Sequence, residues 1–504
     1  MIRLFKKIKE KQGVAFDSIL LAIIQIVTYI ANIFTTKILA MELSLYEYGS
    51  YSTVNTVITI AASLTLFGLG DTINYFFNKQ SLLTNEKERR EYVNTIFMLQ
   101  SLIGIFIGIL LVICSSKIAI YYRNIMIQYL ILIVCMKPWL SNAIHLYQVL
   151  FVSSKKAKLI AIRNFIISIL KIILLYIVIK LFKNIYSIFV CLLVLDVIQL
   201  LIFKYIFGII RFKIKIFSYN KEKIIPIIKY SMPMGIYFVT ITLMREIDKL
   251  VVGRFGSTEE LAIYSNCAKT LPLNFIVVSF ATVLIPYIMK YVSMKDYQTT
   301  AQVMEKYFTI GYLSVWMLSV GILLCSSEAI CFFYSKEYVI GVPIFIIYIF
   351  DGMIHFASMH LVIAANGDSN YLMKKSFVLM IVNIVFSIVL YKILLVINLA
   401  LIGPAIATLF TSIIYIFILI NKSAKIMEIK IRKFLPIKKM IIYLIKLSIV
   451  GIVFYFFKTI LKSLNIHWLV VLIIISSGFY IVVLMINFKE FKRLFSEINQ
   501  IKAL

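Results

Sequence analysis

The chain has 504 residues, of which 62% are hydrophobic, and a mean hydropathy of +0.97. A soluble domain is about 45–50% apolar, and no soluble chain of this size has interior enough for the excess. Charged residues make up 15%, with 52 Lys+Arg against 23 Asp+Glu and a net charge of +29. The basic residues fall mainly between apolar runs, so the charge reports membrane topology and no nucleic-acid partner is expected.

Apolar runs of about 20 residues bounded by charges are long enough to cross a bilayer as helices. Taken in chain order they predict spans at Ser18–Leu39, Ser50–Asn78, Tyr92–Cys114, Ile118–Leu150, Leu159–Phe182, Ile185–Gly208, Ile227–Val252 and Ala262–Met289. Six more follow at Gln302–Cys325, Ile340–Ala365, Tyr371–Ile397, Leu401–Asn421, Met440–Phe457 and Ile466–Ile486, giving about fourteen. The first run follows a basic segment, as a signal peptide would. At roughly 22 residues it is too long for a signal core, so it reads as an uncleaved helix. Ser327–Tyr338, before the tenth span, is too short to cross and is expected along the surface.

With this count, 32 of the 52 basic residues fall in segments on one side and five on the other. The positive-inside rule then puts both termini in the cytoplasm. The longest loop, Lys422–Lys439, is basic and too short to fold as a soluble domain. There is no phosphate-binding G-x-x-x-x-G-K-[ST] loop, so no ATPase is expected. The six cysteines lie mostly in apolar runs without C-x-x-C spacing, and no histidine pair has ligand spacing. No disulfide framework, metal or cofactor is expected.

The chain carries a faint internal repeat. Thr36-Lys37-Ile38-Leu39 matches Asp248-Lys249-Leu250-Val251, and Gly49-Ser50-Tyr51-Ser52 matches Ala262-Ile263-Tyr264-Ser265, at an offset of about 212 residues. That offset is six spans, an even number, which makes the repeats parallel. The expected domains are a lobe at 1–225, a second lobe at 226–421, and a basic loop with two further helices and a tail at 422–504.

Three stretches carry a family resemblance: Lys37 to Tyr51 with Phe67-Gly68-Leu69-Gly70-Asp71; Tyr230-Ser231-Met232-Pro233 with Asp248 to Gly253 and Ala262 to Ser265; and Ile402-Gly403-Pro404-Ala405. In these the sequence resembles the Wzx-type lipid-linked oligosaccharide flippases, polysaccharide biosynthesis proteins of the superfamily that also holds lipid II flippases and multidrug extruders. The resemblance implies a two-lobed helical bundle that alternates access, with a cationic lumen facing an anionic head group.

Charges inside spans are costly, about 2.5–3.5 kcal/mol each at a helix centre, and usually face a cavity or a partner unless they snorkel. Arg245, Asp248 and Lys249 stand at i, i+3 and i+4 on the seventh span, with Glu246 beside them. Lys37 occupies the matching repeat position, and Lys269 follows on the eighth span. In the other half, Lys171 lies deep in the fifth span with Arg163 near its end, and Lys137 adjoins Pro138, which should loosen the backbone. The expected lumenal set is therefore Lys37, Lys137, Lys171, Arg245, Asp248, Lys249 and Lys269. Asp248 is the first candidate for proton coupling, and Asp351 with His355 one turn away is the second. Asp196 is a further acid within a span. No nucleophile–base–acid set is present, so no catalytic residues are expected.

The expected activity is movement of an undecaprenyl-diphosphate-linked oligosaccharide, for O-antigen, capsule or another surface polysaccharide, from the cytoplasmic to the outer leaflet of the bacterial inner membrane. Membrane lipids surround the chain, and a polysaccharide polymerase and chain-length regulator are conceivable partners. A multidrug antiporter of the same superfamily is the first rival, but it would want an acidic lumen. A membrane-embedded polymerase or glycosyltransferase is the second, but it would usually need a large loop or an extra domain.

Overall fold

The computed structural model describes residues 14–501, apart from 79–84, 155, 217, 293 and most of 270–286. Among these the chain is helical, with no strand. Among the described residues, eleven helices are long and apolar enough to cross a membrane, or twelve if the bent pair Met126–Val134 and Lys137–Ser153 is one span. These twelve match twelve of the predicted spans. The first predicted span falls in helix α1 (Val14–Glu42), whose side chains are described only from Val27 onward. Half of the eighth lies outside the described residues.

Local signals set the ends of the helices. Helix α2 (Leu45–Leu66) starts at a capping box: Ser44 Oγ accepts from the Glu47 N–H, and the Glu47 carboxylate accepts from the Ser44 N–H at 3.0 Å. It stops at Phe67, which turns left-handed, and Gly68 follows at φ +75° before α3 (Leu69–Asn78). A Cβ on Gly68 would lie 2.5 Å from the Ser231 carbonyl, so glycine serves both the turn and the close approach of another helix. Helix α4 spans Glu86–Tyr121. Helices α5 (Met126–Val134) and α6 (Lys137–Ser153) meet at a 40° bend. Pro138 sits in the first turn of α6, where its missing N–H costs nothing. The loosening expected at Pro138 is this break. Helices α7 (Ala157–Phe182), α8 (Ile185–Ile210), α9 (Lys221–Phe255) and α10 (Thr258–Cys267) follow.

The chain then continues through α11 (Tyr297–Leu324), α12 (Ser326–Phe333), α13 (Val342–Ile354), α14 (Leu361–Ala365), α15 (Ser369–Leu395), α16 (Ile402–Met427), α17 (Ile437–Ser463) and α18 (Trp468–Ile501). The tenth span was expected to run unbroken to Ala365, but α13 ends at Ile354. The cause lies in α11, whose side chains take up the freed backbone groups. Trp316 Nε1–H donates to the Met353 carbonyl at 2.8 Å, and the Tyr307 hydroxyl accepts from the Ser358 N–H at 3.2 Å. Gly311 lets the Phe356 carbonyl come close. Irregular backbone at membrane depth survives where protein groups satisfy it in this way.

Contacts divide the chain into two units, one running through Ser265 with Met373–Val385, the other comprising Asn266–Leu372 and the chain from Phe386 on. In the first, α9 packs against α2, α3 and α4, and α1 packs on α7. Its core joins Phe76, Phe97, Tyr147, Phe151, Phe203 and Phe207. In the second, α11 packs against α17 and α18, and α13 against α16. A buried clasp ties α17 to α12: Glu328, 3% exposed, takes the Lys458 ammonium at 2.8 Å and that of Lys462 at 2.6 Å. Lys458 also donates to the Leu324 carbonyl at 2.7 Å. Burial pushes the Glu328 carboxyl upward, but the hydrogen bonds from Lys458 and Lys462 outweigh it and hold the group below its ordinary range.

Candidate functional site

Two polar clusters stand within the spanning helices of the first unit. The first is built on α6, α7 and α8. Lys137 opens α6 at the bend, so its side chain leaves the chain where the helical track is interrupted. Arg163 and Lys171 are eight residues apart on α7, about two turns, and so share a face. On α8 the same spacing logic aligns Asp196, Gln199 and Phe203. The Arg163 guanidinium donates to the Gln199 side-chain oxygen and, at 2.8 Å, to that of Asn164. It also stacks over the Phe203 ring at 4.9 Å, and its Nε–H is buried without a hydrogen-bond partner among the described residues. Gln199 Nε2 lies 3.5 Å from Asp196 Oδ1. Lys137, Lys171 and Arg163 all couple electrostatically to Asp196, and the two lysines to each other. Three cations thus share one carboxylate, and none makes a salt bridge to it among the described residues. The cluster has two more basic groups than acidic ones.

The second cluster is on α9. Asp248 is 1% exposed, whereas Arg245 is exposed. Asp248 Oδ2 accepts from the Tyr264 hydroxyl at 3.1 Å, and Oδ1 accepts from the Lys249 N–H at 2.8 Å. The Lys249 ammonium pairs with Glu246 at 2.8 Å instead, and Thr56 Oγ1–H donates to the same Glu246 oxygen at 3.0 Å. Glu246 therefore links α9 to α2, and Asp248 links α9 to α10. Gly253 completes the packing, since a Cβ there would fall 2.3 Å from the Tyr122 ring. The motif residues Asp248, Gly253 and Tyr264 are accordingly one buried structural joint.

The remaining predicted residues fall apart from these clusters. Lys37 is half-buried on α1. Lys269, assigned to the second unit, is exposed; it donates to Asn266 Oδ1 at 2.8 Å and lies 5.9 Å over the Tyr334 ring. His355 Nε2 is 3.8 Å from Asp351 Oδ1, too far for a hydrogen bond, and that oxygen is buried without one among the described residues. Asp196 and Arg163 were visible in the sequence but were not placed in the expected site. The available signal was the pairing of Lys171 with Arg163 on one helical face. No metal-holding group of three or more His, Cys, Asp or Glu occurs among the described residues.

A sequence profile described as polysaccharide biosynthesis protein matches residues 14–292. The fold resembles a structure described as lipid II flippase MurJ in an inward closed conformation, with TM-score 0.71, 17% identity, and 94% of this chain and 99% of that one covered. It also resembles an inward-facing multidrug resistance MATE family transporter of the MOP superfamily, with TM-score 0.67 and 12% identity over 80% of this chain and 96% of that one. A third likeness is a MOP superfamily transporter from Pyrococcus furiosus described as having a binding pocket of reverse polarity, with TM-score 0.57 and 14% identity over 81% and 95%. No protein of curated function matches the sequence. The chain belongs to the polysaccharide biosynthesis protein family and has the multi-pass helical fold of MurJ and the MATE transporters.

Proposed function

We propose that the protein is a flippase, not an enzyme, and that it carries an undecaprenyl-diphosphate-linked oligosaccharide from the cytoplasmic to the outer leaflet of a bacterial inner membrane, with both termini cytoplasmic. The observation that carries this is the α6–α8 cluster, where Lys137, Lys171 and Arg163 are set against Asp196 alone. A cation inside a span costs about 2.5–3.5 kcal/mol, so a surplus retained there needs a purpose. A diphosphate supplies the missing negative charge. In a low-dielectric setting, charge-assisted contacts to Lys and Arg offset part of the head group's desolvation.

In the empty state the cations share the field of Asp196 alone, and a bound diphosphate would outcompete it for them. A proton taken up by the displaced carboxylate would couple the cycle to a proton gradient. Asp248, the other candidate for that role, accepts from the Tyr264 hydroxyl and the Lys249 N–H, and this reading places the coupling on Asp196. Arg245, exposed on α9, and Lys37 remain candidates for contacts along the path. The two lobes at 1–225 and 226–421 would be the moving bodies, and a polymerase with its chain-length regulator would consume the product. A cation-exporting antiporter is disfavoured because the cluster would repel its cargo.

The reading is tested by flipping of labelled lipid-linked oligosaccharide in proteoliposomes. Lys137→Gln with Lys171→Gln should abolish flux while insertion and folding persist. Uptake of a cationic dye by the wild type, without oligosaccharide flipping, would replace this function with the antiporter.

A further inference from the structure

The connection between α16 and α17 is a surface of unpaired cations fixed in place by buried anchors. Helix α16 ends at Met427, Glu428 turns left-handed at φ 54°, and the Ile429 N–H returns to the Ala424 carbonyl at 3.2 Å. A single 3-10 turn, Ile431–Lys433, follows, and the Leu435 N–H donates to the Ile431 carbonyl at 2.8 Å. Phe434, Leu435 and Pro436 are then buried, with the Phe434 ring 6.3 Å from that of Phe308 on α11. The segment is therefore folded against its own unit.

The charges divide along this segment. The flanking lysines are neutralised, Lys422 by Asp368 at 3.1 Å and Lys439 by Glu305 at 2.8 Å. The central five, Lys425, Lys430, Arg432, Lys433 and Lys438, are all exposed, and none has a carboxylate partner among the described residues. Glu428 is the only acid between Lys422 and Lys439. Net charge alone would serve topology, and for that the five could be paired or mobile. Here they are held at the ends of two spanning helices, with the counter-charges kept to the flanks.

We propose that this segment binds the anionic phospholipid head groups of the surrounding bilayer. The phosphates of several lipids fit a run of five exposed long basic side chains interleaved with half-buried Ile429 and Ile431. Each basic residue near an anionic surface strengthens attraction roughly fivefold, and the effect decays within a Debye length. The site is independent of the flipping activity and does not rest on it.

The test uses the purified full chain in detergent, with thermal unfolding read as phosphatidylglycerol or phosphatidylcholine is added. Phosphatidylglycerol should raise the unfolding temperature and phosphatidylcholine should not, and about 0.5 M NaCl should remove the difference. Replacing all five central residues by Gln should remove the selectivity, whereas Lys422→Gln with Lys439→Gln should retain it. Replacing the four central lysines by Arg should also retain it, which separates charge from misfolding. Equal response to both lipids, or full selectivity after the five Gln substitutions, overturns the proposal. Stabilisation by inorganic pyrophosphate in place of phosphatidylglycerol, lost on the five Gln substitutions, would assign the surface to soluble anions and also overturn it.

Discussion

The α6–α8 and α9 clusters contain the same kinds of side chain, yet their charges are arranged differently. On α9, Glu246 meets Lys249 at 2.8 Å and Asp248 meets Tyr264 at 3.1 Å, so each acid has a partner at contact distance. On α6–α8, three cations share the field of Asp196 without a salt bridge among the described residues. Charges locked at contact distance hold helices together, and removing one partner costs stability. Charges in surplus are available to a ligand, and removing one should cost transport. The number of charges in a span does not separate the two cases; their connectivity does.

The Glu328 clasp sets the scale for the locked type. Glu328→Gln should destabilise the second unit by about 3–5 kcal/mol, because it leaves two lysines facing a neutral group, one of them buried. Chemical denaturation of the purified protein reads this. The carboxyl is held below its ordinary range by Lys458 and Lys462, so its folded pKa lies below the unfolded one, about 4.3. Its stabilisation is therefore complete above the unfolded pKa and falls away as the pH drops through the folded pKa. An acid titration of unfolding should show this loss in the wild type and not in Glu328→Gln.

On the surplus side, Lys137→Gln with Lys171→Gln should lower flux at least 100-fold, about 2.7 kcal/mol, with little change in stability. The inverse is expected on α9. Asp248→Ala should cost about 1–3 kcal/mol of stability by removing the buried acceptor of the Tyr264 hydroxyl and the Lys249 N–H, with flux per folded molecule nearly unchanged. A double-mutant cycle with Tyr264→Phe should show coupling between the two positions. The smallest effect belongs to Arg245→Ala. Its side chain is exposed, so flux should fall roughly tenfold or less with stability intact. If Asp248→Ala abolished flux in a fully stable protein, the contrast between the clusters would fail.

Much of this was legible in the sequence because the bilayer imposes one-dimensional rules. Apolar runs and loop charges located twelve of the spans described, and Pro138 marked the bend before α6. What the sequence could not show were partnerships across helices. Asp248 and Tyr264 are 16 residues apart on different helices, so local spacing favoured Arg245 and Lys249 as partners. The end of α13 was invisible because it depends on Trp316, Tyr307 and Gly311 of α11. Asp196 looked like a lone acid until α6 and α7 brought Lys137, Lys171 and Arg163 around it.

The most direct test of the central claim is leaflet-to-leaflet movement of fluorescent undecaprenyl-diphosphate-linked oligosaccharide in proteoliposomes. It should be measured for the wild type, Lys137→Gln/Lys171→Gln and Asp248→Ala, with the folded fraction determined in parallel. The surplus-charge account predicts that the lysine double variant is folded but inactive, and that Asp248→Ala is less stable yet active per folded molecule. Wild-type flux in the lysine double variant would contradict it.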